Sequence, residues 1–133
     1  MLRDFELLQY DFENEITIVP LSDLHIGASN CMIKEIKETI KTIVERPNCY
    51  CTLGGDILDN SVITGKNLGI FDGCSPKKAI DMAIEILKPL ADNHKILGII
   101  SGNHEDRSDK VTDINPLYMV CCELGIQDLF RPN

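Results

Sequence analysis

Three apolar runs in this chain stop abruptly at a small residue, followed by side chains that can bind a cation. Ile16 to Leu21 runs into Ser22-Asp23-Leu24-His25, Tyr50 to Leu53 into Gly54-Gly55-Asp56, and Ile96 to Ile100 into Ser101-Gly102-Asn103-His104-Glu105. Short apolar runs bounded by turn residues fit buried strands. In an open α/β sheet, strands that end together deliver their following loops to one crevice. The Asp, His and Asn side chains at these ends therefore read as a metal site.

The segments between the runs supply the rest of an α/β order. Ile33, Ile36, Ile40, Ile43 and Val44 recur at helical spacing, and Pro47-Asn48 marks the stop. Ser75-Pro76 starts a second helix, with Ser75 as the cap and Ile80, Ala83, Ile84, Leu87 and Ala91 as its buried face. Pro89 is expected to kink this helix or end it early. A last helix starts at Asn115-Pro116, buries Leu117, Val120, Cys121 and Leu124, and ends at Gly125. Strands are expected over Cys49 to Leu53 and Lys95 to Ile100, and Phe5 to Phe12 with Ile16 to Leu21 suggests a short hairpin at the sheet entrance. Ser61 to Gly73 is punctuated by glycine and reads as an irregular loop over the strand ends. Alternating strands and helices call for right-handed crossovers and a largely parallel sheet with helices flanking both faces.

Length and charge narrow the function. A chain of 133 residues makes one domain, spanning 1–133. The formal net charge of -8 argues against an extended phosphate-binding surface, because such affinity comes mainly from Lys and Arg. A divalent cation would reverse the sign locally, so a nucleic-acid substrate stays open. The acidic N-terminus lacks signal-peptide features and no apolar run reaches bilayer length, which implies a cytoplasmic protein without membrane contact. Cys31, Cys49, Cys51, Cys74, Cys121 and Cys122 include no CxxC pair and are expected to be free thiols.

The cluster residues suit particular chemistry. Asp23 and His25 stand two apart, so on an extended segment both side chains point the same way and can share one cation. Oxygen with imidazole nitrogen suits Mn, Fe, Zn or Ni better than calcium. Asp56, after a tight Gly54-Gly55 approach, could bridge two cations, and Asn103 could give an amide oxygen to the second. Two metal ions roughly 3.5 to 4 Å apart would clamp a phosphoryl group and generate hydroxide near neutral pH. His104, turned towards another side of the cleft, could protonate the leaving oxygen, with Asp59 as the carboxylate that orients it. Arg107 could reach the substrate phosphate beside Asn103, or pair with Glu105 or Asp109. Glu105 itself reads as structural support, and His94 as a solvated loop residue. Taken singly, each cluster fits an ordinary surface turn; their joint occurrence at three strand ends favours function.

These residues resemble the calcineurin-like metallophosphoesterases, whose pattern is D-x-H, then G-D-x-x-D, then G-N-H-D or G-N-H-E. The chain has Asp23-Leu24-His25, Gly55-Asp56-Ile57-Leu58-Asp59 and Gly102-Asn103-His104-Glu105 in that order. The wording around these blocks is similar to phosphoesterases carried by phages and prophages. The resemblance implies that Asp23 and His25 bind a first metal, Asp56 bridges, Asn103 binds a second, and His104 with Asp59 forms the proton-donor pair. It also implies a two-sheet αββα sandwich, of which this chain would be the first half, and a dinuclear centre carrying Mn²⁺ or alternatively Fe, Zn or Ni.

Two departures from the pattern stand out. Asn60 occupies the place where many members carry Arg. The further His and the G-H-x-H motif that complete the family's site are absent, since the only histidines are His25, His94 and His104. The expectation is thus a metal-dependent hydrolase of phosphomonoesters or phosphodiesters in a truncated domain, with a complementing C-terminal half or a second copy as partner. The alternative is a catalytically incomplete metal-binding module; a phosphoprotein phosphatase ranks third.

Overall fold

A computed structural model describes residues 7–60 and 74–132 of the chain. The loop expected over Ser61 to Gly73 lies outside the described residues. The described part is α/β, with a four-stranded parallel sheet in the order β1-β2-β3-β4. These strands are β1 (Thr17–Leu21), β2 (Cys49–Leu53), β3 (Ile96–Ile100) and β4 (Phe130–Arg131). Between them lie α1 (Ile33–Glu45), α2 (Pro76–Asp92), α3 (Asn103–Thr112) and α4 (Pro116–Glu123).

Register explains why the three apolar runs stop at one level. Leu21 stands opposite Leu53 and Leu53 opposite Ile99, so β1, β2 and β3 end side by side. One irregularity between Cys51 and Thr52 adjusts the β2–β3 pairing before that end is reached.

Helices α1, α2 and α4 form a single layer, which corrects the expectation of cover on both faces. α1 packs on α2 and α2 on α4. When strand order follows chain order, successive right-handed crossovers all return over the same face. That face is sealed by Ile36, Ile40 and Ile43 of α1, by Ala83, Leu87 and Leu90 of α2, and by Leu117 and Val120 of α4. The other face carries the segment after Leu7 instead: the Tyr10 hydroxyl donates to the Leu97 carbonyl at 2.6 Å, and Phe12 tilts against Tyr50 at 5.1 Å. Ile18 and Ile100 stay about half exposed, at 49% and 48%.

Other expectations need adjustment. The entrance hairpin does not form among the described residues, because β1 pairs only with β2 and residues 7–16 contain no strand. β3 starts at Ile96, one residue later than expected. α2 runs through Pro89 to Asp92. Proline removes one donor, but Pro89 and the residue four before it, Glu85, are both exposed, where water can satisfy the freed carbonyl. The buried face of α2 is also broader than expected: Ala79, Ile86 and Leu90 join Ala83, Leu87 and Ala91, while Ile80 and Ile84 are only partly buried. A helix touching neighbours on two sides needs this wider stripe. Leu124, expected in the core of the last helix, caps α4 and is partly buried.

The caps of α2 and α4 are as expected. Ser75 Oγ accepts from Lys78 N at 3.3 Å, and Asn115 Oδ1 accepts from Leu117 N and Tyr118 N at 3.0 and 3.2 Å. Among the described residues no helix is long and apolar enough to cross a membrane. All six cysteines are free; burial pushes the thiols of Cys51 and Cys121 up to about 12.

Candidate metal centre

The loops after β1 and β2 are laced together by their backbones. Gly54 N donates to Leu21 O at 2.7 Å, Asp23 N to Gly55 O at 3.1 Å, His25 N to Asp56 O at 3.1 Å and Ile26 N to Ile57 O at 2.9 Å. Asp59 N then donates to Ile26 O at 3.0 Å. Apolar anchors sit between the polar positions, because Ile26, Ile57 and Leu58 are essentially fully buried. The ligand-type residues thus ride on loops that are pinned by Ile26 after β1 and by Ile57 and Leu58 after β2.

The local backbone is unusual. Asp23, His25, Asp56 and Asn60 all lie in the left-handed region, with φ of 55°, 49°, 50° and 45°. Asp, Asn and His tolerate this region best among residues with a Cβ, and such conformations persist where surrounding structure over-determines them. The extended geometry expected for Asp23-Leu24-His25 is therefore replaced by a curled one. The pair still meets: Asp23 Oδ1 is 3.8 Å from His25 Nε2, with Asp23 on the exposed rim.

The loop after β3 arrives from the other side. Gly55 and Gly102 touch backbone to backbone, and a Cβ on Gly55 would lie 2.8 Å from Gly102 Cα. A Cβ on Gly102 would lie 2.2 Å from Asp56 N and 2.4 Å from Asp56 Oδ1. Only glycine permits that approach. The chain then turns directly into α3, a helix not foreseen after Gly102, and Asp56 Oδ1 accepts the His104 N–H at 2.8 Å.

His25, Asp56 and His104 are brought together in this way. Each offers one ligand atom, and these atoms all lie within 4.8 Å of one another. The His25 and His104 rings meet edge to face at 4.6 Å. Asp59 stands behind both: its Oδ1 is 3.4 Å from His25 Nδ1 and 3.8 Å from His104 Nδ1, and its backbone carbonyl accepts a hydrogen bond from His104 Nδ1. A carbonyl can only accept, so Nδ1 of His104 carries a proton, and in the neutral ring the lone pair is on Nε2. Metal-binding histidines are commonly oriented by this kind of backing.

No protein-family model, curated protein or solved structure matches the chain.

Expected site residues divide into two groups. His25, Asp56, Asp59 and His104 converge, and Asp23 stands at their edge. His104 occupies the cluster itself rather than a separate side of the cleft. Asn103 is exposed at the first position of α3, and Arg107 is exposed further along it. Arg107 pairs with neither Glu105 nor Asp109 among the described residues; Glu105 is instead taken up by backbone amides. His94 is exposed, as expected.

Several supporting residues escaped the sequence reading. Asn60 is buried at 3% exposure, and its Nδ2 donates to His104 O at 2.6 Å and to Ser108 Oγ at 2.9 Å. Ser101 Oγ donates to Asp106 Oδ1 at 2.6 Å and accepts from Asn115 Nδ2 at 2.8 Å, tying α3 to α4. The one available signal was Glu105 three residues after Gly102, the spacing of a helix-capping acid.

A cleft of about 630 Å³ opens beside the centre. His25, Asp59 and His104 line it together with Met32, Glu35 and Ile36.

Proposed function

We propose that the chain is part of a metal-dependent phosphoesterase of the calcineurin-like type, acting on phosphomonoesters or phosphodiesters. The observation that carries this reading is the convergence of His25, Asp56 and His104 from three strand ends, with Asp59 behind both imidazoles. Two nitrogens and a carboxylate oxygen fit a first-row divalent ion, and the resemblance, not the donor set, makes Mn²⁺ the first choice. The family's two-sheet sandwich and its second metal belong to the same proposal.

His25, Asp56 and His104 would hold the ion, with Asp23 next to His25 and Asn103 at the start of α3 as further oxygen donors. When bound, a divalent ion polarises a phosphoryl oxygen and lowers the pKa of water. Asp59 keeps both rings turned, and its carbonyl fixes the proton of His104 on Nδ1. The Nε2 of His104 is then a ligand when the ring is neutral, or a proton donor to the leaving oxygen when it is charged. One imidazole cannot serve as both in the same step.

A second reading, a metal-binding module without turnover, is favoured by one observation. Among the described residues only a single group of His, Cys, Asp and Glu atoms meets the spacing for an ion. The purified chain with Mn²⁺ and chromogenic phosphomonoester and phosphodiester substrates separates the two. Turnover that disappears in Asp56→Ala and His104→Ala supports the phosphoesterase; Mn²⁺ uptake without turnover supports the module. Loss of turnover in His104→Ala with Mn²⁺ affinity retained would make His104 the proton donor rather than a ligand.

A further inference from the structure

The side chain of Glu105 has no exposure at all, yet it lies directly beneath the centre. Its Oε2 accepts from Asp56 N and Gly102 N, both at 3.1 Å, and its Oε1 accepts from Leu58 N at 3.0 Å. A buried carboxylate requires such compensation, and three N–H donors supply it without any cation. The three donors come from two different loops. Asp56 and Leu58 follow β2, and Gly102 follows β3. Glu105 therefore bridges the loops that deliver Asp56 and His104.

The connection is reciprocal. Glu105 holds the backbone of Asp56, while the Asp56 side chain accepts the backbone N–H of His104, the residue next to Glu105. Each loop thus fixes a carboxylate of the other, and the Gly55–Gly102 contact closes the gap between them. One oxygen of Asp56 is engaged by His104, which leaves the second oxygen for a ligand outside.

We propose that Glu105 is the positioning residue of the centre: without touching the ion, its carboxylate sets the spacing of Asp56 and His104 and so the affinity for a divalent cation. This rests on the metal-binding part of the reading above. Glutamine is nearly isosteric but replaces one acceptor oxygen with an NH₂ group, which sets donor against donor at Leu58 or at the Asp56–Gly102 pair. The loops separate slightly and the ligand set loosens.

The test is Mn²⁺ titration calorimetry of the full chain and Glu105→Gln, with amide hydrogen exchange on the metal-free proteins. Supporting-residue changes of this kind typically weaken metal binding about 10- to 100-fold. The expected result is a loss in that range, with faster exchange at Asp56, Leu58 and Gly102 in the metal-free variant. Ile43→Val, a core change on α1 remote from the centre, is expected to lower the melting temperature and keep the wild-type affinity, which separates positioning from general stability. If Glu105→Gln does not fold, Glu105→Asp, which keeps the charge and withdraws it by one methylene, carries the same expectation. An unchanged Mn²⁺ affinity in the folded variant, or an equal loss in Ile43→Val, overturns the proposal alone. Absence of Mn²⁺ uptake by the wild type overturns the metal reading and this proposal together.

Discussion

The carboxylate of Asp56 accepts the backbone N–H of His104 at 2.8 Å across 48 positions of sequence. It acts as a cap for α3 supplied from another loop, taking one of the amides that a helix start leaves unpaired. Its other oxygen remains available, so one side chain serves both the fold and the centre.

Asp56→Asn and Asp56→Ala should therefore separate those two roles. The amide keeps an acceptor for His104 N–H but loses the charge, so Mn²⁺ affinity is expected to fall at least about tenfold with a small change in melting temperature. Alanine removes the acceptor as well and should cost a further 1–3 kcal/mol or so of stability. Calorimetric titration with thermal melts checks both; equal affinity in Asp56→Asn and wild type would remove Asp56 from the ligand set.

Gly102→Ala has no room to be accommodated. The new methyl would meet Asp56 N at 2.2 Å and Oδ1 at 2.4 Å, and neither is the end of a flexible side chain free to swing away. The loops must part, at a cost of about 1–3 kcal/mol, typical of overpacking. Loss of Mn²⁺ binding in a protein that still folds is the expected outcome, measured by titration and circular dichroism; wild-type binding would show that the Gly55–Gly102 contact does not hold the centre.

Leu58 anchors the loop that carries Asp56 and Asp59, at 1% exposure. Leu58→Ala is expected to lower stability by about 2–5 kcal/mol, as for other buried leucines. Because Leu58 N also donates to Glu105, the loss should be accompanied by faster amide exchange across residues 56–59. A denaturant melt within about 0.5 kcal/mol of wild type would contradict this account of the loop.

Burial raises the thiols of Cys51 and Cys121 to about 12, whereas in the unfolded chain they titrate near the ordinary value of 9.0. Between those limits the native state keeps a proton that the unfolded state has released. Stability from these thiols is therefore complete below about pH 9 and falls as pH rises towards 12, by roughly 1.4 kcal/mol per pH unit for each. Denaturant melts across that range check the slope. At pH 8 the exposed Cys122 should react with a thiol reagent while Cys51 and Cys121 stay protected until the protein unfolds.

Much of the strand-and-loop plan was readable because it depends on local signals. The apolar run of Cys49 to Leu53, the Ser75-Pro76 start and the Asn115-Pro116 cap need only neighbours within a turn or two. β4 was missed because Phe130 and Arg131 form a strand only by pairing with Ile99 and Ile100. α3 was missed because Asn103 to Thr112 lacks an apolar face, so no periodicity marks it; part of what holds it is Asp56 and Asn60 from other segments, together with Ser101, which Asn115 engages in turn.

The order of β1, α1, β2, α2, β3 and α4, the positions of Asp23, His25, Asp56, Asp59 and His104 at strand ends, and their chemical suitability for a cation were determined by the sequence alone. Only the tertiary structure decided which of them meet. Strand register levels the ends of β1, β2 and β3, the Gly55–Gly102 approach sets the gap between two loops, and Glu105 and Asp59 orient the groups across it. Those contacts join residues roughly 30 to 50 positions apart, and their geometry follows from close packing and hydrogen-bond direction rather than from any local pattern along the chain.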